Sequence, residues 1–175
     1  MKSLKSDNFL RLIEHHDIRK TYTFHEAVGG GQYGQVRFAT RHNIPDERLV
    51  VKSIPNKNHD LDDIAEELNI LLTTDSPFVC KCFEIFFDAY YLHIVMENCQ
   101  AGDIGRLLKK EGKFSEEKCA LVIKQCLKGL SHLHDLNIVH RDMKPDNILC
   151  IDDICSEVKL CDFGLSKVLD NKEDK

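Results

Sequence analysis

Residues 140–147 read HRDMKPDN, and DFG follows at Asp162, Phe163 and Gly164, fifteen residues beyond Asn147. Together they supply a base, a cation and two metal ligands. Asp142 can accept or orient a hydroxyl proton, a role that contributes about 10²- to 10⁴-fold in enzymes. Lys144 sets a cation two residues from that base, and Asn147 and Asp162 carry oxygen donors. His140 reads as a packed, hydrogen-bonded histidine, and Asp146, Asp152 and Asp153 as solvated turn residues. Upstream, Ser115 precedes a helical pattern from Glu116 to about His134, with apolar positions at 119, 122, 123, 126, 127, 130 and 133. That helix delivers the chain to Ile138-Val139-His140.

The bulk composition narrows the function classes. A chain of 175 residues, 42% apolar, can build a real core. With 24 basic and 29 acidic residues it has no electrostatic footprint for nucleic acid or an anionic membrane. No stretch is apolar for the length of a membrane span, and MKSLKSDNFLRLIEHHDIRK lacks the apolar run of a secretory signal. Lys2 stands where N-myristoylation needs glycine. The cysteines at 80, 82, 99, 119, 126, 150, 155 and 161 form no CxxC pair and read as reduced thiols of a cytoplasmic protein. Cys80 and Cys82 with His132 and His134 have the wrong spacing for structural zinc.

Working back toward the N-terminus, strands at 22–24 and 35–40 flank GGGQYGQV, a GxGxxGxV pattern built on Gly29, Gly31, Gly34 and Val36. Such glycines permit a tight hairpin whose backbone N–H groups approach phosphate oxygens. The β-prone VRFAT that follows argues against a dinucleotide fold, which needs a helix there, and no GK[ST] marks a P-loop. In the strand 48–54, RLVVKSI, Lys52 interrupts an apolar run and either reaches solvent from an edge or pairs with an anion. Residues 60–72 carry a helical stripe with an acidic start. At about 100° per residue, Glu67 borders the buried stripe and Glu66 points to the far side, so Glu67 is the partner expected for Lys52. Segments 78–87 and 91–96 alternate as a hairpin about Asp88-Ala89. Asp103 either reaches a ribose or caps the helix 104–110.

The motifs, in order from Tyr22 to Lys167, resemble the first part of a eukaryotic protein kinase domain: GxGxxGxV, a VAIK-like Lys52, HRDxxxxN and DFG. The resemblance implies an α+β, protein-kinase-like fold. An N-terminal antiparallel β-sheet lobe with the family's helix αC precedes an incomplete, mainly helical C-terminal lobe. It implies ATP and Mg2+ as cofactors, with Asn147 and Asp162 on the metal, Lys52 and Glu67 paired at the phosphates, and Lys144 on the transferring γ-phosphoryl group. Met96 matches the gatekeeper, and the adenine would bond to backbone groups of Glu97 and Cys99, with Val36, Val50 and Leu149 covering its faces. Leu71, Cys82, His140 and Phe163 match the apolar column between lobes, and Arg141 the pocket for an activation-loop phosphate or an acidic substitute. Lysine at 144 marks the Ser/Thr kinases.

Within the superfamily, KFSEEKCALVIKQCLKGLSHLHDLNIVHRDMKPDNIL and the insert CIDDICSEVKL before DFGLS resemble the calcium- and calmodulin-dependent group, most closely the calcium-dependent protein kinases. No DxDxDG loop is present. The domains expected are an N-terminal extension, 1–21, an N-lobe, 22–97, and a partial C-lobe, 98–175, lacking APE and the later helices. Such an ending should leave apolar surface exposed on helix 116–134 and fray the tail DNKEDK. The expected partners are a protein substrate with Ser or Thr and a regulatory domain or partner outside this chain, with no nucleic acid and no membrane anchor. The alternative is a non-catalytic kinase-like fragment that binds nucleotide or a protein partner.

Overall fold

A computed structural model describes residues 17–31, 34–55 and 61–169. The helix start expected at Asp60, the first sixteen residues and the tail from Asp170 lie outside the described residues. Two compact units divide the chain, one of Met1–Ala65 with Cys82–Asn98 and the other of Glu66–Lys81 with Cys99–Lys175. The segment 66–81, expected within the N-lobe, is grouped with the second unit.

The first unit is an antiparallel sheet in the order β1-β2-β3-β5-β4, made of β1 Tyr22–Gly31, β2 Gly34–Arg41, β3 Ile44–Pro55, β4 Cys82–Phe87 and β5 Tyr91–Glu97. Strand β1 runs well past the expected end at Phe24 because the glycines continue the ladder, with Gly31 opposite Gly34. Gly34 is required there: its φ is +133°, and a Cβ would lie 2.3 Å from the Ser53 carbonyl oxygen on β3. One sheet face buries Tyr22, Ala39, Leu49, Val51, Phe86 and Val95 together with Ile18. Ile18 comes from a 3₁₀ turn, Ile18–Lys20, capped by the Asp17 side chain. The end of the expected extension is therefore core, where burying such a side chain is worth ~1.5–3 kcal/mol. Lys52 pairs with Val36 and Ile94, and Val50 with Phe38 and Met96. The two-residue period thus gathers Val36, Val50, Lys52 and Met96 on the opposite face.

The β4–β5 turn is fixed by Asp88, whose Oδ1 accepts the N–H groups of Tyr90 and Tyr91, each at 2.8 Å. The first hairpin strand begins at Cys82 rather than at 78. Residues 78–80 instead bond to β9, Val158–Leu160: Leu160 N donates to Phe78 O at 2.8 Å and Cys80 N to Leu160 O at 2.9 Å.

Helix α1, Leu61–Thr73, spans the boundary between the units, so Glu66 and Glu67 belong to the second. That unit adds α2, Ile104–Glu111, and α3, Glu116–Asp135. Strands β6, Gly102–Asp103, and β8, Ile148–Cys150, form a sheet with β9, while β7, Ile138–Val139, pairs with β10, Lys167–Val168. Ser115 starts α3 by accepting the Lys118 N–H at 3.2 Å, and Glu116 and Glu117 suit the positive end of the helix. Val122, Cys126 and Leu133 face inward. A Cβ on Gly129 would stand 2.9 Å from Leu160 Cδ1, so the glycine lets α3 approach β9 closely. Ile123 and Leu127 remain 56% and 60% exposed, the uncovered apolar surface expected of this helix. Among the described residues no helix is long and apolar enough to cross a membrane.

Candidate active site

The loop from β7 to β8 is braced by its own polar side chains. Asp142 Oδ2 accepts Lys144 Nζ at 2.6 Å and Asn147 Nδ2 at 2.8 Å, and Nδ2 donates also to the Asp142 carbonyl at 2.8 Å. The Lys144 hydrogen bond, aided by Asn147, holds the Asp142 carboxyl below the usual carboxylate range, and Asp142 raises Lys144 in return. Both are ionised at neutral pH. Asn147 is 5% exposed, and with its N–H groups turned to Asp142 its amide oxygen is left as the acceptor.

His140 is buried, as expected of a packed histidine. Its Nε2 donates to the Cys161 carbonyl at 3.1 Å, its Nδ1 accepts the Asp142 N–H at 3.4 Å, and its ring centroid lies 5.2 Å from that of Phe163. This pattern requires the neutral tautomer with the proton on Nε2. Burial pushes the imidazole below its ordinary value, although the Cys161 carbonyl opposes the shift.

Arg141 and Asp162 hold φ values of +62° and +64°. Non-glycine residues seldom adopt this region, and such strain concentrates at functional sites. The Arg141 Nε donates to the Leu165 carbonyl, and Ser166 Oγ to the His140 carbonyl at 3.0 Å. A Cβ on Gly164 would stand 3.5 Å from Asp162 Oδ1 and 3.8 Å from Glu67 Oε2, so both carboxylates flank the DFG glycine. Glu66, expected to face away, is half-buried and engaged: it accepts Lys167 Nζ at 2.8 Å and Val168 N at 2.9 Å. Burial pushes the Glu66 carboxyl up, but the bonds from Lys167 and Val168 outweigh it and hold it low.

The remaining expected residues divide between the units. In the first, Gly29, Gly31 and Gly34 lie in the β1–β2 ladder, Val36, Val50, Lys52 and Met96 share a sheet face, and Glu97 ends β5 opposite Leu49. Half-buried Cys82 has its thiol pushed up to about 12 by burial. In the second, Leu71 is buried, and the carbonyl of half-buried Cys99 accepts Gly102 N at 3.0 Å. Asp103 Oδ1 accepts Arg106 N at 2.7 Å and caps α2, one of its two expected roles, and Leu149 lies on β8 opposite Asp103. The second unit thus joins Asp142, Lys144 and Asn147 in one hydrogen-bonded cluster and sets Glu67 and Asp162 beside Gly164. Glu66, Ser166 and Lys167 were not legible as site neighbours, because their partners lie far away in the chain.

The donor set fits Mg2+. That ion takes one or two carboxylate or amide oxygens together with phosphates and water, rather than a closed protein cage. Among the described residues no group of three or more His, Cys, Asp or Glu side chains forms such a cage.

A profile of the family described as "Protein kinase domain" matches residues 22–175. The chain is 33% identical over 165 residues to serine/threonine-protein kinase CBK1 of Candida glabrata, covering 93% of this chain and 21% of that protein. It is 36% identical over 160 residues to serine/threonine-protein kinase dst1 of Dictyostelium discoideum, covering 91% and 21%. With calcium-dependent protein kinase 6 of Plasmodium berghei it shares 31% over 164 residues, covering 94% and 11%. The chain therefore spans about a fifth or less of each of these relatives. With the HRDMKPDN loop and DFG placed as described and the family profile covering nearly all of its length, the chain belongs to the protein kinase domain family, among relatives of the Ser/Thr type.

Proposed function

We propose that this chain carries the nucleotide-binding and catalytic-loop part of a Ser/Thr protein kinase that transfers the γ-phosphate of ATP to a protein Ser or Thr hydroxyl. The observation that carries the proposal is the Asp142–Lys144–Asn147 cluster. A carboxylate held below its usual range by Lys144 and Asn147 is a weaker base in the resting state. Asp142 therefore orients the hydroxyl and takes its proton as the bond to phosphorus forms. Lys144 offsets charge on the transferring group, and Lys52 does so at the α and β phosphates. Asn147 and Asp162 hold Mg2+, which neutralises the phosphate charge when bound. The hairpin of Gly29, Gly31 and Gly34 offers backbone N–H groups to the phosphates. Adenine meets backbone groups of Glu97 beyond Met96, against Val36 and Val50, and Cys99 and Leu149 are the contacts that the family likeness adds.

The finer placement, near the calcium-dependent protein kinases, is supported by KFSE at 113–116, the insert 150–160 and the Plasmodium relative. Eight free thiols favour a reducing, cytoplasmic setting. The protein substrate and any regulatory domain or partner outside this chain follow from the same proposal. Incubation with γ-labelled ATP, Mg2+ and a basic Ser-containing peptide tests it: label should reach the peptide with the parent chain and not with Asp142→Ala. Equal labelling by both would contradict the role of Asp142. The exposed Ile123 and Leu127 favour a second reading, a kinase-like module that binds nucleotide or a partner without transfer. Nucleotide binding by the parent with no peptide labelling would support it.

A further inference from the structure

We propose that Glu66 is a positioning residue: it latches α1 to β10 and so holds Glu67 and Asp162 in register with the catalytic loop. The inference rests on the kinase reading above, in which Asp162 binds the metal. A Glu–Lys pair with side chains 24% and 52% exposed contributes little by itself. The second bond, to Val168 N, is different, because it fastens α1 to a backbone that is tied elsewhere. Lys167 and Val168 pair with Val139 and Ile138, the residues leading into His140, and Leu169 N donates to Asn137 O at 2.8 Å. Ser166 Oγ and the Leu165 carbonyl bond to His140 and Arg141. The segment 165–169 is thus fixed along its length to residues 137–141, which comprise β7 and the start of the catalytic loop, and Glu66 joins it to α1. Neighbours on a helix are separated by about 100°. Once Glu66 is held, the azimuth of Glu67 is set, and its carboxylate stands beside Gly164 with that of Asp162.

Calorimetry of ATP binding to the whole chain, with and without Mg2+, tests the latch. Glu66→Ala should reduce the gain in affinity that Mg2+ confers by about tenfold, the range seen when a partner supporting a metal ligand is removed. Mg2+-free affinity should fall by less than this. Glu66→Gln keeps an acceptor for Val168 N and should recover most of the gain. Lys167→Glu, which sets a like charge against Glu66 from an exposed position, should reproduce the selective loss. A parent-sized gain in both Glu66→Ala and Lys167→Glu would overturn the proposal, as would a proportionate fall with and without Mg2+. If the parent shows no gain from Mg2+, the kinase reading fails, and amide exchange then decides the latch. Faster exchange over 164–169 in Glu66→Ala, with α2 unchanged, would sustain it, and unchanged exchange would overturn it.

Discussion

The two units position chemistry by different means. In the first, the expected nucleotide contacts are set by backbone register: the β2–β3–β5 ladder brings Val36, Val50, Lys52 and Met96 to one face, and Gly34 lets β2 lie against β3. In the second, side chains hold side chains: Asp142 is fixed by Lys144 and Asn147, and His140 by Cys161 and Asp142. A register tolerates many side chains and few backbone changes, whereas a hydrogen-bonded cluster is lost with one functional group. Substitutions should therefore act on nucleotide binding in the first unit, and in the second on the chemical step at Asp142 and on Mg2+-dependent binding at Asp162.

The largest effect is expected at Asp142. Asp142→Ala should lower phosphate transfer by about 10²- to 10⁴-fold while ATP affinity by calorimetry stays near that of the parent. A matching loss of affinity would erase the contrast between the units. Next, Gly34→Val should destabilise the first unit by more than ~2 kcal/mol and weaken ATP binding, since the residue must hold a φ of +133° and its Cβ would meet the Ser53 carbonyl. A parent-like urea midpoint would show that the ladder adjusts. Asp103→Ala removes the α2 cap and should cost about 0.5–2 kcal/mol. An additional large rise in the KM for ATP would assign Asp103 to the ribose as well.

The smallest effect is a pH dependence. His140 is neutral in the fold and held below its ordinary value, whereas the unfolded chain takes up that proton at about pH 6.5. Its contribution to stability is complete above that pH and is lost as pH falls from there through the folded value. The melting temperature of the parent should therefore fall between pH 7.5 and 5.5 more steeply than that of His140→Asn. Parallel curves would mean that His140 titrates alike in both states.

What was legible in the sequence was local. HRDMKPDN places Asp142, Lys144 and Asn147 within six residues, so their meeting needs only one loop, and the helices α1, α2 and α3 follow from periodicity and caps to within a residue or so. What was not legible depends on distant partners. Glu66 looks solvent-facing on a helical wheel because the wheel omits Lys167 and Val168, about a hundred residues away. Phe78-Val79-Cys80 reads as the start of a hairpin strand, yet its backbone bonds to Leu160. The glycine run reads as a turn because glycine disfavours strands, but the flanking β2 ladder carries it. Ile18 hides behind a charged leader and is nonetheless 2% exposed.

The most direct test of the account is titration of ATP into the parent, Asp162→Ala and Asp142→Ala, each with and without Mg2+. Binding by the parent and by Asp142→Ala should tighten when Mg2+ is added, and binding by Asp162→Ala should not. Equal responses to Mg2+ in all three would contradict the assignment of the metal to Asp162, and a response lost in Asp142→Ala would contradict that of the proton to Asp142.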